Sequence, residues 1–252
     1  MRMQQDQKSV LLVSMPFAGI VIPSIQLALL ERYLKKYDIK VETSHLYLKA
    51  SMFYNIKNYD FLINSPNDSY TAQIAFSKYV FPKHWEKKKD EIKKYFEKTS
   101  TLNKNNFTFN DYLKCSDDFY NWTISNLPWK DYDIIGFTLN YGQFLPSLAI
   151  AKEIKSQNSD KIIILGGSRT IDNLGLNTLK SFPYVDYIVS GEGEEALLLL
   201  AKNSEKQESI PNLIYRNQNE IIWNQCEKFI DLNSLPIPDY SSFYNDLKTV
   251  DP

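Results

Sequence analysis

Residues 161–193 read KIIILGGSRTIDNLGLNTLKSFPYVDYIVSGEG, and the fold class is decided there. The run 161–165 is Ile-rich and apolar, as a strand buried on both faces must be, and it ends in Gly166-Gly167. Residues 174–181 follow as a short helix. Residues 185–189 form a further strand ending in Ser190-Gly191-Glu192-Gly193, and 194–201 return to helix. Strand, glycine turn and helix in succession predict parallel strands joined by helical crossovers.

The same rhythm extends upstream. Residues 134–139 (IIGFTL) read as a strand, and 145–156 as a helix with Leu148, Ile150, Ala151 and Ile154 on its apolar side. Near the N-terminus, 9–14 (SVLLVS) is a strand. Pro23 suits a first helical turn, and Ile25, Leu29, Leu30 and Leu34 recur at helical spacing. Residues 39–46 complete a βαβ start. Five strands predict an α/β domain of flavodoxin-like (Rossmann-type) topology: a five-stranded parallel sheet of order 2-1-3-4-5.

Residues 48–127 break the rhythm. They are aromatic, Lys-rich and almost free of Gly, and they read as a mostly helical insertion after strand 2. Helices are expected over 72–80 and 84–98, with a polar loop over 99–110. Residues 210–224 read as a hairpin turning at 217–219. Pro236 and Pro238 stiffen a segment that reads as a linker, so the domain is expected over 1–232 and the linker over 233–252.

Composition narrows the function classes. The 252 residues carry 29 basic and 30 acidic side chains, a net charge of -1, so no long-range field draws the molecule to nucleic acid or a membrane. Residues 1–8 are polar and 10–13 are too short an apolar run for a signal peptide. No stretch reaches the roughly 18 apolar residues of a membrane helix. The expected location is the cytoplasm. Cys115 and Cys226 are far apart, and His45 and His84 lack neighbouring ligands, which predicts no metal site. Lys87-Lys88-Lys89 lies among acidic residues and reads as a solvated helix face.

In an open parallel sheet, ligands bind beyond the carboxyl ends of the strands. Four loops lie there. They are Ser14-Met15-Pro16-Phe17-Ala18-Gly19, Thr138-Leu139-Asn140-Tyr141-Gly142-Gln143, Gly166-Gly167-Ser168-Arg169-Thr170 and Ser190-Gly191-Glu192-Gly193-Glu194. Each precedes a helix, whose N-terminal backbone amides attract phosphate or amide oxygen atoms. Neither GxGxxG nor GxxxxGK[ST] occurs in them, which argues against a dinucleotide or P-loop site.

The spacing of these loops resembles that of cobalamin-binding Rossmann domains. Those carry Asp-x-His-x-x-Gly after the first strand, Ser-x-Leu after the third and Gly-Gly after the fourth. Here Gly19, Thr138 and Gly166-Gly167 stand in the matching places. Ser14 replaces the Asp, and Pro16 replaces the cobalt-ligating His. Longer phrases are similar to the N-terminal half of cobalamin-dependent radical SAM enzymes of the peptide natural-product (RiPP) maturation type. They are 10–17 (VLLVSMPF), 133–138 (DIIGFT), 165–167 (LGG) and 185–195 (VDYIVSGEGEE). Residues 232–240 (LNSLPIPDY) resemble that family's passage into the radical SAM barrel, and the helical block from Ala75 to Phe81 resembles its insertion.

The resemblance implies a cobalamin ligand bound base-off, with no His from the first loop on cobalt. It places Thr138 on the benzimidazole tail, Gly166 and Gly167 against the nucleotide, and Gly191, Glu192 and Gly193 beside the ribose or phosphate. Met15, Pro16 and Phe17 would lie beneath the corrin ring. Leu139, Asn140, Tyr141 and Gln143 would meet its amides, with Ser168 and Arg169 near the phosphate. Glu194 and Glu195 read instead as a first helical turn complementing the dipole. The barrel's Cys-x-x-x-Cys-x-x-Cys does not occur. S-adenosylmethionine and a 4Fe–4S cluster are therefore expected only on a barrel outside this sequence, and no residue here is assigned a catalytic role. The expected function is the B12 domain of a radical SAM methyltransferase acting on a peptide. A stand-alone corrinoid carrier or partner subunit is the alternative, and a flavodoxin-like module for another planar ligand is a third reading.

Overall fold

The computed structural model describes residues 7–64, 70–99, 106–140, 142–203, 206–226 and 230–250. Apolar runs too short for a helix become strands, and each of the first five is followed by a helix. The chain begins with β1 (Val10–Ser14), α1 (Ile25–Lys35) and β2 (Val41–His45). The Ser24 hydroxyl caps α1 by accepting the Leu27 N–H. Then come α2 (Leu46–Tyr54), α3 (Ile56–Ile63), α4 (Ser77–Val80), α5 (Pro82–Thr99) and α6 (Phe109–Asn126). Thr108 and Asp111 form a reciprocal capping box that fixes the start of α6. The α/β alternation resumes with β3 (Ile134–Thr138), α7 (Phe144–Gln157), β4 (Ile162–Gly166), α8 (Asn173–Ser181), β5 (Tyr187–Val189) and α9 (Glu194–Ala201). The hairpin β6 (Leu213–Asn217) and β7 (Glu220–Trp223) precedes α10 (Ser241–Lys248).

The sheet has seven strands among the described residues, in the order β2-β1-β3-β4-β5-β6-β7. The first five are parallel and keep the expected 2-1-3-4-5 order. The expected five-stranded, wholly parallel sheet is corrected by the hairpin, which joins β5 antiparallel through Tyr187↔Tyr215 and Val189↔Leu213. Its physical reason is the open edge of β5. Three residues of strand end in unpaired backbone groups, and the hairpin satisfies them.

Side chains alternate between two cores. Leu12, Ile134, Ile164 and Val189 pack with Leu27 and Leu34 of α1 and Leu197 of α9. Leu11, Ile135, Phe137, Ile163 and Leu165 face Leu148 and Ile154 of α7 and Leu179 of α8. The helices between β2 and β3 add an aromatic mass to this second core. Within it Tyr112 is fully buried, and its ring stacks on Phe96 at 4.8 Å. Its hydroxyl accepts the Ala75 N–H and donates toward the Thr71 and Ala72 carbonyls.

The segment after Pro238 continues into a helix that touches the sheet. Helix α10 packs on β2, with Phe243 buried and the Asp246 carboxylate accepting the His45 N–H at 2.8 Å and facing His45 Nδ1 at 2.9 Å. Among the described residues no helix is long and apolar enough to cross a membrane.

Tyr112→Phe keeps the ring but strands one amide and two carbonyls in the core. We expect it to lower unfolding stability by about 1–3 kcal/mol in urea titration. An unchanged midpoint would show that these bonds do not anchor the helical block.

Candidate functional site

Strand alternation brings the site together. Gly136 and Thr138 on β3 and Ile164 and Gly166 on β4 face the same side as Leu12 and Val189. Helices α1 and α9 cover that side, but three of the positions beneath or beside them have no side chain: Gly136, Gly166 and Gly193. The result is a slot of about 280 Å³ between the two helices and the sheet. Its floor is Leu12, Gly136, Ile164 and Val189, and its walls include Leu30 and Leu197. Thr138, Gly166, Gly167, Gly191, Glu192 and Gly193 surround its upper end.

Within this apolar lining the Thr138 hydroxyl is buried and has no hydrogen-bond partner. A buried hydroxyl without a partner costs about 1–3 kcal/mol, which a ligand atom can recover. The two glycines of β4's end differ in what they permit. A Cβ on Gly166 would meet nothing within 4 Å, so its missing side chain is simply open slot. Gly167 has φ +106°, and a Cβ there would lie 2.7 Å from the Leu139 carbonyl oxygen. Only glycine lets the chain cross the end of β3 this closely.

The mouth is acidic. Glu192 Oε2 accepts the Ile230 N–H at 2.7 Å, and Glu194 Oε2 is buried without a partner. A second cavity of about 270 Å³ adjoins the slot, lined by Glu192, Glu194, Glu195, Asn212, Cys226 and Asp231. Among the described residues no cluster of three or more His, Cys, Asp or Glu is placed to hold a metal ion.

Several of the expected site residues lie in the core or on the rim and not in the slot. Met15 and Phe17 are 0% and 4% exposed and belong to the opposite core. Phe17 stacks on Tyr59 at 5.5 Å and meets Tyr54 edge-on at 5.4 Å, while the Tyr59 hydroxyl bonds both the N–H and the carbonyl of Ala18. The aromatic helices thus claim the first loop, and these side chains form no floor for a ligand. Pro16 is buried with them. Ser14 is buried as well and accepts from Gln143 Nε2, which also donates to the Met15 carbonyl. Gln143 is fully buried by these bonds, and Leu139 is core. Asn140 accepts from the Ser168 hydroxyl at 3.1 Å on the rim, and Arg169 Nη2 reaches the Tyr70 hydroxyl at 3.4 Å; none of these three lines the slot. Tyr141 lies outside the described residues.

Sequence reasoning missed the apolar floor because it looked only at loops. The signal was present: a glycine two residues before Thr138, inside a buried strand, marks a close approach. It also gave Glu194 a dipole role alone, whereas its carboxylate borders the slot.

No protein-family model and no curated protein matches the sequence. Solved structures match its fold. OxsB, a cobalamin-dependent S-adenosylmethionine radical enzyme solved with aqua-cobalamin bound, overlays 98% of this chain with a TM-score of 0.54 and 16% identity. The apo, selenomethionine-labelled OxsB structure gives the same TM-score and identity over 96% of the chain. The radical S-adenosylmethionine methyltransferase TsrM from Kitasatospora setae, with cobalamin and a 4Fe–4S cluster bound, overlays 94% with a TM-score of 0.47 and 14% identity. The likeness is one of fold. The chain spans 26% of OxsB and 32% of TsrM in these overlays.

The contrast between the two glycines can be measured. Gly167→Ala forces a side chain into a left-handed conformation and against a carbonyl, and we expect a loss of about 1–3 kcal/mol in thermal unfolding. Gly166→Ala should leave the melting temperature within error of the parent. Equal losses would mean that Gly166 is needed for packing and not for space.

Proposed function

We propose that this chain binds cobalamin, with the nucleotide tail in the slot between α1, α9 and the sheet, and that it forms the B12 domain of a radical SAM methyltransferase. The observation that carries the reading is the unpaired Thr138 hydroxyl in a mostly apolar slot. A benzimidazole is a flat apolar body with one ring nitrogen left to accept a hydrogen bond, and this pair of features suits it. Burying a bicyclic aromatic removes about 150–250 Å² from water, worth on the order of 4–6 kcal/mol, against about 1 kcal/mol for the hydrogen bond. Affinity then comes from the slot's shape, and orientation from Thr138.

Other residues fit the rest of such a ligand. Val21, Ile22 and Ile25 expose apolar side chains between β1 and the start of α1, with Ile25 also lining the slot, a surface suited to the macrocycle. Glu192 and Glu194 can accept from hydroxyls at the mouth. Three placements support a base-off state without a protein His. Pro16 stands where the family's ligating His would be, His45 is buried against Asp246, and His84 lies on α5. Cobalamin, when bound, supplies methyl-transfer chemistry; this chain's part is to hold the tail, shield it from water and keep histidine from the metal.

In this reading residues 1–232 are the cobalamin domain, 48–127 its helical insertion, and 233–252 the passage toward a radical SAM barrel, on this polypeptide or another. The fold likeness to OxsB supports the first of these. The peptide natural-product setting rests on the sequence phrases.

Incubation with hydroxocobalamin, desalting and visible spectroscopy test the proposal. We expect near-stoichiometric retention and a base-off spectrum free of His coordination. Thr138→Val should weaken retention about tenfold, and Gly166→Leu, which fills the slot from an unstrained position, should abolish it. Failure of the parent chain to retain corrinoid would overturn the proposal. A His-coordinated spectrum would overturn its base-off part.

A further inference from the structure

The slot's lining bears on which lower base a corrinoid must carry. This rests on the cobalamin reading above and goes beyond it. Below Thr138 the floor offers only Leu12, Gly136, Ile164 and Val189, and the backbone amides and carbonyls of β3 and β4 there are spent on the parallel ladder. Leu197 closes the lower wall one helical turn beyond Glu194. A base entering tail-first therefore passes Gln26, Glu192 and Glu194 at the helix ends, meets the Thr138 hydroxyl, and finds only hydrocarbon on the floor below.

We infer that the slot selects benzimidazole-type lower bases and rejects purines. A benzimidazole has a single ring nitrogen to satisfy, and its hydrocarbon edge matches the floor. Adenine carries further ring nitrogens and an exocyclic amine, and these would be stripped of water against Leu12, Ile164 and Val189 with nothing to bond. Each polar group buried in this way costs enough to lower affinity about tenfold to a hundredfold. Glu194, whose Oε2 is unpartnered, Glu192 and Gln26 also line the slot and can accept from an amine, but they stand at the N-terminal ends of α9 and α1, above the floor. Gly136 sets the size limit. A Cβ there would come within 2.9 Å of Leu12 Cδ2, so even one methyl group would crowd the floor.

The test measures binding of three corrinoids to the full chain by desalting and spectral titration. They are hydroxocobalamin, the adeninyl cobamide, and cobinamide, which has no nucleotide tail. The inference expects hydroxocobalamin to bind at least tenfold more tightly than the adeninyl form, and cobinamide to be lost on desalting. In a second titration with a fourth corrinoid, the cobamide carrying an unsubstituted benzimidazole, Gly136→Ala should weaken cobalamin more than this form, because the two methyl groups of cobalamin's base occupy the floor. Equal binding of cobalamin and the adeninyl cobamide would overturn the selectivity and leave the cobalamin reading standing. Retention of cobinamide as tight as that of cobalamin would show that the slot does not take the tail, and would overturn it too. No retention of any of the three would instead overturn the cobalamin reading itself.

Discussion

A parallel sheet has to be covered on both faces, because its strands are apolar on both. Here the cover on one face stops short. Helices α1 and α9 meet the sheet along Leu27, Leu34 and Leu197, but above Gly136 and Gly166 there is no side chain for them to meet. Protein interiors do not ordinarily leave such space, since lining atoms without neighbours forfeit their dispersion contacts. The absence of two side chains and the unpaired hydroxyl of Thr138 thus coincide in one slot, and the proposed function rests on that coincidence. The rest of the domain holds that site open.

The opposite face shows the contrast. There Met15, Phe17 and Leu139 are sealed by α7 and by the aromatic helices that follow β2. The Tyr59 hydroxyl bonds to Ala18, and Gln143 ties the ends of β1 and β3 together through Ser14 and Met15. These bonds make the first loop a fixed support. They also explain why residues resembling a ligand-binding loop are turned inward. The fold keeps the loop's position and uses its side chains for packing.

Much of this was legible in the sequence. The five parallel strands, their order and the glycines at their ends follow from short apolar runs punctuated by helices. Thr138, Gly166, Gly167, Gly191, Glu192 and Gly193, which stand in three of the four loops, line one slot. The hairpin at 210–224 was readable from its turn, but its docking on β5 was not, because strand pairing depends on a distant open edge. The burial of Phe17 was hidden for a similar reason: its ring packs against Tyr54, Tyr59 and Phe76, which are distant in sequence. Gly136 could have been read and was not. The docking of α10 through Asp246 onto His45 likewise joins residues that no local pattern connects.

The central claim concerns where a lower base sits. The most direct measurement is a crystal structure of this chain grown with hydroxocobalamin, with cobalt located by its anomalous scattering. The account predicts a benzimidazole ring lying on Gly136 and Gly166, one nitrogen within hydrogen-bond distance of Thr138 Oγ1, and no histidine on the metal. A corrinoid bound on the α7 face, or one whose base stays outside the α1–α9 slot, would contradict it.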